Sequence, residues 1–321
     1  MVSSANESGS PGDASSSELI GALEQGRRQF LQLVDHVRPE LHRYCARMTG
    51  SVADGEDVVQ DTLARAYHEL SHMQSLPDLR PWLFRIAHNR AIDHWRHERR
   101  RASEPIEDAL EVAAEAAFEP DNVMARGQAV RAALTGFLAL APAHRGCVIL
   151  KDVLGHSIEE IATELDPSVP AVKATLHRGR AALREASEAL RSAPARRDVS
   201  AALVRYADLF NAHDWDDVRA LLAEGVRLDL VSQRKAAGRR EVGQYVDNYE
   251  RASDWRLVAV WLDGREALAV VGTASDTTPR YFIDLRWNDA GQVATIRDFR
   301  YVRYIAIDAS IDATASDQGH P

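Results

Sequence analysis

Ser157-Ile158-Glu159-Glu160-Ile161-Ala162-Thr163-Glu164-Leu165-Asp166-Pro167-Ser168-Val169-Pro170-Ala171-Val172 holds two helix starts and one stop. Ser157 and Ser168 are N-cap residues, each followed by helix-forming sequence. Asp166-Pro167 ends the first helix, because the residue before a proline is pushed out of the α region. Ala162 and Leu165 then face Val172 and Leu176 across a short turn, the arrangement of a helix-turn-helix. The second helix continues through Lys173, Thr175, His177, Arg178, Arg180 and Arg184. It holds the position from which a major-groove reader presents its side chains.

The helical reading extends to both sides of this pair, over about 126–191. Upstream, residues from about Leu19 to Arg101 carry apolar stripes at helical spacing. Leu33, Val37, Leu41 and Tyr44 form one; Val59, Leu63, Tyr67 and Leu70 another; Trp82, Leu83, Ile86 and Ala87 a third. Asp54, with Asp57 three residues on, is the expected N-cap of the second of these helices, and Pro81 suits the first turn of the third. The formal net charge is −9, which argues against a protein that merely coats nucleic acid. The charge is segregated, however: between Arg80 and Arg101 seven arginines meet only Asp93 and Glu98. Residues 102–125 carry seven acidic side chains and no Lys or Arg, and read as a linker. Arginines neutralise phosphates, while Trp82, Phe84, His88, Asn89, His94 and Trp95 could meet unstacked bases.

The texture changes after a short linker, 192–198. Helices are expected over about 199–212, 215–223 and 240–250. Strand-like segments follow at Val226–Leu230, Trp255–Trp261, Ala267–Gly272, Arg280–Trp287 and Val293–Tyr304, separated by turn signals such as Asp263-Gly264 and Asn288-Asp289-Ala290-Gly291. This is an α+β unit. The 321 residues therefore divide into a tail (1–18), a helical unit (19–101), the acidic linker (102–125), a second helical unit (126–191), the linker 192–198, the α+β unit (199–307) and a second tail (308–321). Two isolated cysteines, Cys45 and Cys147, form neither a zinc motif nor a disulfide framework. No apolar run reaches the ~20 residues of a membrane span. A cytoplasmic protein without membrane partner, metal or cofactor is expected.

Taken in order, the motifs resemble those of sigma factors of the extracytoplasmic-function type. Ala53-Asp54-Gly55-Glu56-Asp57-Val58-Val59-Gln60-Asp61-Thr62 resembles region 2.2. Arg80-Pro81-Trp82-Leu83-Phe84-Arg85-Ile86-Ala87-His88-Asn89 with Asp93 resembles regions 2.3 and 2.4. Leu140-Ala141-Pro142, Val153–Ala162 and Val172–Arg180 resemble region 4. The resemblance covers about 30–190. It implies a factor that binds core RNA polymerase, through its β′ and β subunits, and directs initiation at promoter DNA without catalysing a reaction. Asp54, Glu56, Asp57, Gln60 and Asp61 would dock on the polymerase. Asn89, Arg90, Asp93 and Arg96 would meet the −10 element, with the segment His72–Leu79. Lys173, Thr175, Arg178 and Arg180 would meet the −35 element. The family usually has Leu-Gly where Leu165-Asp166-Pro167 stands here, and commonly Ala where Gly55 stands.

Residues 199–305 resemble the SnoaL-like branch of the NTF2-like superfamily, through Tyr206-Ala207-Asp208-Leu209-Phe210-Asn211-Ala212-His213-Asp214, Trp215 and Asp298-Phe299-Arg300-Tyr301. That implies a cone-shaped barrel in which Tyr206, Asp229, Tyr245, Asp284, Asp298 and Arg300 would line a cavity for a small-molecule ligand. The expected architecture is thus multidomain: two all-α sigma domains, a region 2 bundle and a region 4 helix-turn-helix, plus an α+β cone that regulates them in cis. The alternatives are a SnoaL-like enzyme or a ligand sensor fused to a DNA-binding module. The acidic region 2.2 pattern favours the sigma factor, because an ordinary repressor has no use for it.

Overall fold

Apolar residues three and four apart build the N-terminal helices of the computed structural model, which describes residues 11–101, 134–191, 198–250, 254–272, 278–309 and 311–312. Helix α1 spans Pro11–Val34, α2 Arg38–Thr49, α3 Val52–Leu70 and α4 Leu79–Arg101. Helix α1 thus begins inside the expected tail. The acidic linker 102–125 and most of 192–198 lie outside the described residues. A 3-10 segment, Leu134–Ala139, leads into α5 (Pro142–Val148), which runs into a π-type turn at Ile149–Val153. The helix-turn-helix follows as α6 (Ile158–Leu165) and α7 (Val169–Arg191).

Local sequence explains most helix ends. Ser157 and Glu160 form a reciprocal capping box on α6. Asp166 closes α6 in the left-handed region, φ 71°, which a short polar side chain tolerates better than most. The cap of α3 is Ser51, whose hydroxyl accepts from the Asp54 amide at 3.3 Å, and not Asp54 itself. Ser51 precedes the first helical residue and sits at the N-cap spacing, so the Asp54 carboxylate remains available for other partners. Gly55 has a steric role beyond helix propensity: a Cβ there would lie 2.6 Å from Ala46 Cα on α2.

One apolar core runs through both helical units. Leu41, Tyr44, Leu83, Phe84 and Ala87 pack with Phe137, Val148, Leu150, Ile161 and Val172. Trp82 and Phe84 are 5% and 0% exposed, so these two aromatics belong to that core and not to a base-stacking surface. Arg145 is fully buried and donates to the carbonyls of Met48, Leu138 and Leu140, tying α5 to the end of α2.

The C-terminal unit contains α8 (Ala201–Asn211), α9 (Trp215–Ala220), α10 (Arg239–Glu250) and the short α11 (Ile305–Asp308). Its strands are β1 (Leu222–Leu230), β2 (Arg234–Ala237), β3 (Arg256–Leu262), β4 (Arg265–Val271), β5 (Tyr281–Trp287), β6 (Val293–Asp298) and β7 (Ile311–Asp312). They form one sheet in the order β2-β1-β6-β5-β4-β3-β7. Strands β1 and β6 are parallel and the other pairs antiparallel. The sheet is open, with β2 and β7 at its edges, and does not close into a barrel. Strand β7 lies within what the sequence reads as a tail.

Side chains alternate across this sheet, and both faces are buried. Leu228, Leu257, Leu268, Val270, Ile283, Leu285 and Ile296 point toward α8, α9 and α10. Val260, Leu262, Ala267, Ala269, Val271 and Phe282 point the other way. They share a cluster with Phe299, Val302 and Ile305, and with Ala46 of α2 and Val52 of α3. The N-terminal helical unit therefore covers the second face of the sheet.

Candidate functional site

The polar groups around that second face converge on the acidic helix α3. Asp263 and Gly264 take positive φ angles, 51° and 79°, which lets a two-residue turn join β3 to β4. The turn carries the Asp263 carboxylate to the first turn of α3, where it accepts from the Val52 amide at 2.8 Å. A helix start leaves such amides without intrahelical partners, and its dipole favours a negative group there. Two residues on, Arg265 makes a forked contact with Asp54 at 3.0 and 2.5 Å.

Strand register supplies the next contact. Arg297 of β6 is paired with Asp229 on β1 and Asp284 on β5, so the three charges lie in a row on the face turned toward α3. Arg297 reaches from this row to Asp57 in a second fork, 3.1 and 2.5 Å. Burial pushes the Asp57 carboxyl above its ordinary pKa, and Arg297 only partly opposes this.

Glu56 is the hub of the contact. It is fully buried. Arg38 donates to its Oε1 at 2.6 Å and the Tyr304 hydroxyl donates to its Oε2 at 2.6 Å. Arg38 also donates to Tyr304 Oη and Ser232 Oγ, at 2.7 and 2.6 Å. At the margin, Arg43 and Arg47 of α2 both reach Asp308, each at 3.2 Å. Of the five residues expected to dock on a partner, Asp54, Glu56 and Asp57 are engaged by the C-terminal unit. Gln60 and Asp61 flank a neighbouring cavity of about 420 Å³ bordered by Phe30, Arg38, Tyr67 and Ser232.

The candidate DNA-facing residues lie elsewhere. Asn89, Asp93 and Arg96 share an exposed face of α4, with Arg90 partly covered and 4.0 Å from Asp93. The guanidinium of Arg99 lies 4.9 Å from the Trp95 ring centre. On α7, Lys173 is exposed and Thr175 and Arg178 are half-buried. Arg180 instead forks onto the buried Asp152 at 2.9 and 2.6 Å, so its charge is committed to holding α7 against the π-type turn.

The expected cavity-lining set splits by strand parity. Asp229 and Asp284 belong to the Arg297 row on the opposite face, because a strand turns successive side chains to opposite sides. Tyr206, Tyr245, Asp298 and Arg300 do gather on the inner face, with Tyr249 and Tyr281. Asp298 is fully buried and accepts from the hydroxyls of Tyr245 and Tyr249 at 2.6 and 2.7 Å, and from the Arg300 amide at 2.8 Å. Burial raises its pKa against those hydrogen bonds. Phe210 adds ring contacts of 5.1 Å to Tyr249, Trp215 and Trp255, so aromatic side chains pack closely around this cluster. Among the described residues there is no cluster of three or more metal-binding side chains and no helix long and apolar enough to cross a membrane.

Sequence reasoning missed Asp263, Arg265, Arg297, Tyr304 and Asp308 as contact residues. The signal was present: the runs Leu257–Leu262 and Ala267–Val271 are apolar at nearly every position, the mark of a sheet buried on both faces.

Comparison with known proteins bears on both halves of the chain. Residues 33–101 match sigma-70 region 2 and residues 133–183 match sigma-70 region 4. The chain is 30% identical over 287 residues to the ECF RNA polymerase sigma factor SigG of Mycobacterium tuberculosis, covering 79% of this chain and 76% of that protein. In structure it is similar to the extracytoplasmic-function sigma factor SigJ of the same organism, at 19% identity and a TM-score of 0.32, over 84% of this chain and 95% of that one. Its C-terminal part is similar to an NTF2-like protein from Exiguobacterium, at 18% identity and a TM-score of 0.24, over 30% of this chain and 95% of that one.

Proposed function

The chain belongs to the extracytoplasmic-function RNA polymerase sigma factors, and we propose that its C-terminal unit controls it in cis by occupying the α3 face that core polymerase would use. Sigma factors are non-enzymatic initiation factors, so control acts on binding. In this reading Asp54, Glu56, Asp57, Gln60 and Asp61 dock on the β′ subunit of core polymerase. Asn89, Arg90, Asp93 and Arg96 meet the −10 element, and Lys173, Thr175 and Arg178 the −35 element. Arg180 supports the second set by fixing α7 on Asp152.

One observation supports control in cis above the rest. Arg265, Arg297 and Tyr304 of the C-terminal unit pair with Asp54, Asp57 and Glu56, three of the five residues proposed for the polymerase. The same carboxylates cannot serve both partners at once. Core polymerase then binds only the undocked fraction, and its apparent affinity falls by that fraction. A small-molecule ligand of the C-terminal unit would act on the same equilibrium, by binding one state more tightly than the other. The experiment is core binding and run-off transcription with the full chain carrying Arg265→Ala and Arg297→Ala. Tighter core binding and higher transcription from the same promoter are expected. Wild-type values for both would remove the proposal.

A further inference from the structure

A second contact closes the molecule, and it does not involve the C-terminal unit. We propose that His156 is a proton-operated latch between region 4 and region 2, gripping Glu40 and Glu164 in its charged form and loosening as it loses its proton. This inference rests on the assignment of α2–α4 and α5–α7 to the two promoter-reading regions.

The geometry is specific. His156 precedes α6 and its side chain is fully buried. Nδ1 lies 2.8 Å from Glu164 on α6, and Nε2 lies 3.1 Å from Glu40 on α2. Arg80 of α4 donates to both Glu40 oxygens at 2.7 and 3.1 Å, approaches His156 Nε2 at 2.8 Å and reaches Glu160 of α6 at 3.4 Å. The ring packs edge-on against Phe84 of α4, with centroids 5.1 Å apart. Nearby, Tyr44 of α2 hydrogen-bonds His88 of α4 at 2.6 Å. Both rings lie against Gly146 of α5, where a Cβ would come within 3.1–3.2 Å of them. Glycine there keeps the two regions in close contact.

Charge balance sets the role of the proton. Glu40 and Glu164 bring two negative charges to the contact, Glu160 a third from its solvent side, and Arg80 a single positive one. Glu164 is buried, and its other oxygen, Oε1, has no hydrogen-bond partner among the described residues. An imidazolium would supply the second cation and an N–H to each carboxylate, with Arg80 Nη2, which can only donate, turning from Nε2 wholly to Glu40. A neutral imidazole can keep one N–H on Glu164 and accept from Arg80, but it leaves the negative charge in excess. Burial opposes charge on His156, yet the hydrogen bonds to Glu164 and Glu40 outweigh it, and its pKa lies above the ordinary imidazole value. Glu40 is held down to about 2 by its hydrogen bonds from His156 and Arg80, against its own burial, and so stays charged. A group whose pKa is raised in the closed form stabilises that form fully below its ordinary value, and the stabilisation is lost as pH rises through the raised value. Opening is therefore favoured by alkali.

Opening matters because the −10 and −35 elements lie roughly 25 base pairs apart, about 85 Å along the duplex at ~3.4 Å per base pair. Regions held in one shared core cannot reach both. The latch shares no residue with the α3 contact, so the two act as separate equilibria, and each adds its own open fraction.

The test is a distance measurement by pulsed electron resonance on the full chain, without DNA or polymerase, so its outcome does not depend on whether the C-terminal unit competes for α3. Spin labels go on the exposed positions Gln74→Cys and His177→Cys; the native Cys45 and Cys147 are buried. Between pH 6 and 9 a longer distance should gain population at the expense of the short one. The open-to-closed ratio should rise by up to about tenfold per pH unit, the limit for one proton. His156→Gln should flatten the profile, and Glu40→Gln should move its midpoint to lower pH. If His156→Gln does not fold, the wild-type and Glu40→Gln profiles decide. A single short distance at every pH, or a wild-type profile unmoved by the variants that fold, would overturn the latch.

Discussion

Replacing Tyr304 with Phe removes one oxygen from the centre of the α3 contact and leaves its shape intact. The phenyl ring of the variant would keep the edge contact that Tyr304 makes with His42, 5.2 Å between centroids, and the cation–π contact with Arg38, 5.7 Å. What is lost is the 2.6 Å hydrogen bond to Glu56 Oε2 and the 2.7 Å bond that the hydroxyl accepts from Arg38 Nε; the first, to a buried carboxylate, sets the scale. In the docked state Oε2 is buried; when the C-terminal unit lifts away, water replaces the hydroxyl. The substitution therefore penalises the docked state alone, and Arg38 continues to hold Oε1 in both. A hydrogen bond to a charged group contributes about 1.5–3 kcal/mol. At about 1.36 kcal/mol per factor of ten, the docking equilibrium should shift toward release by roughly 10- to 150-fold. Apparent affinity for core polymerase, followed by fluorescence anisotropy of the labelled full chain, should tighten by up to that factor and level off once the undocked form dominates. Unchanged affinity in a folded Tyr304→Phe protein would refute the claim that docking and polymerase binding compete.

Further predictions concern the two sigma regions. Arg145→Met would leave the carbonyls of Met48, Leu138 and Leu140 without their shared donor, a loss of about 1–3 kcal/mol for buried acceptors left unsatisfied; calorimetry checks it, and unchanged stability contradicts the role given to Arg145. Asp166→Gly should stabilise region 4 by about 0.5–1 kcal/mol, because glycine takes the φ of 71° without strain, and a chemical denaturation curve measures it. Arg178→Ala should weaken −35 binding by about 1–3 kcal/mol with altered base preference if its contact is to a base edge, read by competition with mutated promoters. Arg180→Ala should instead lower thermal stability by freeing the buried Asp152, with base preference retained.

The helical half of this fold is written in local signals. Ser157 with Glu160, Asp166-Pro167 and the stripes at Leu41–Tyr44 and Val59–Leu63 each act within a turn or two of helix, so a linear reading finds them. Ser51 is harder to pick out as the α3 cap, because Asp54 and Asp57 offer a similar pattern three residues later and only the backbone separates the two. In the C-terminal unit the strands are legible through alternation and turns such as Asp263-Gly264, but β2 and β7 are too short to alternate clearly. Closure of the sheet follows only from the superfamily resemblance; strand order is a long-range property, and here it leaves β2 and β7 as open edges.

The candidate site divides on the same line. The acidic pattern of α3 and the basic face of α4 can be marked in the sequence, because the residues of each lie on one helix. The partners of α3 cannot. Arg297 and Tyr304 are more than two hundred residues from Asp57 and Glu56, and they meet through sheet register and the apolar second face. Residue type groups Asp229 and Asp284 with Asp298, while strand parity sends them to Arg297. His156 gives no sequence signal of its own, since its role depends on Glu40, Arg80 and Glu164 meeting across two regions.

Hydrogen exchange of the full chain, alone and bound to core polymerase, tests the central claim most directly. In the free protein the α3 amides at 52–61 and the backbone around Asp263, Arg265 and 297–305 should both be protected by their mutual contact. On polymerase binding, 52–61 should stay protected while the β3–β4 turn and 297–305 exchange faster, because the C-terminal unit has given up α3 to the polymerase. Retained protection of both segments in the complex would contradict the account, since core polymerase and the C-terminal unit would then be bound to this sigma factor together.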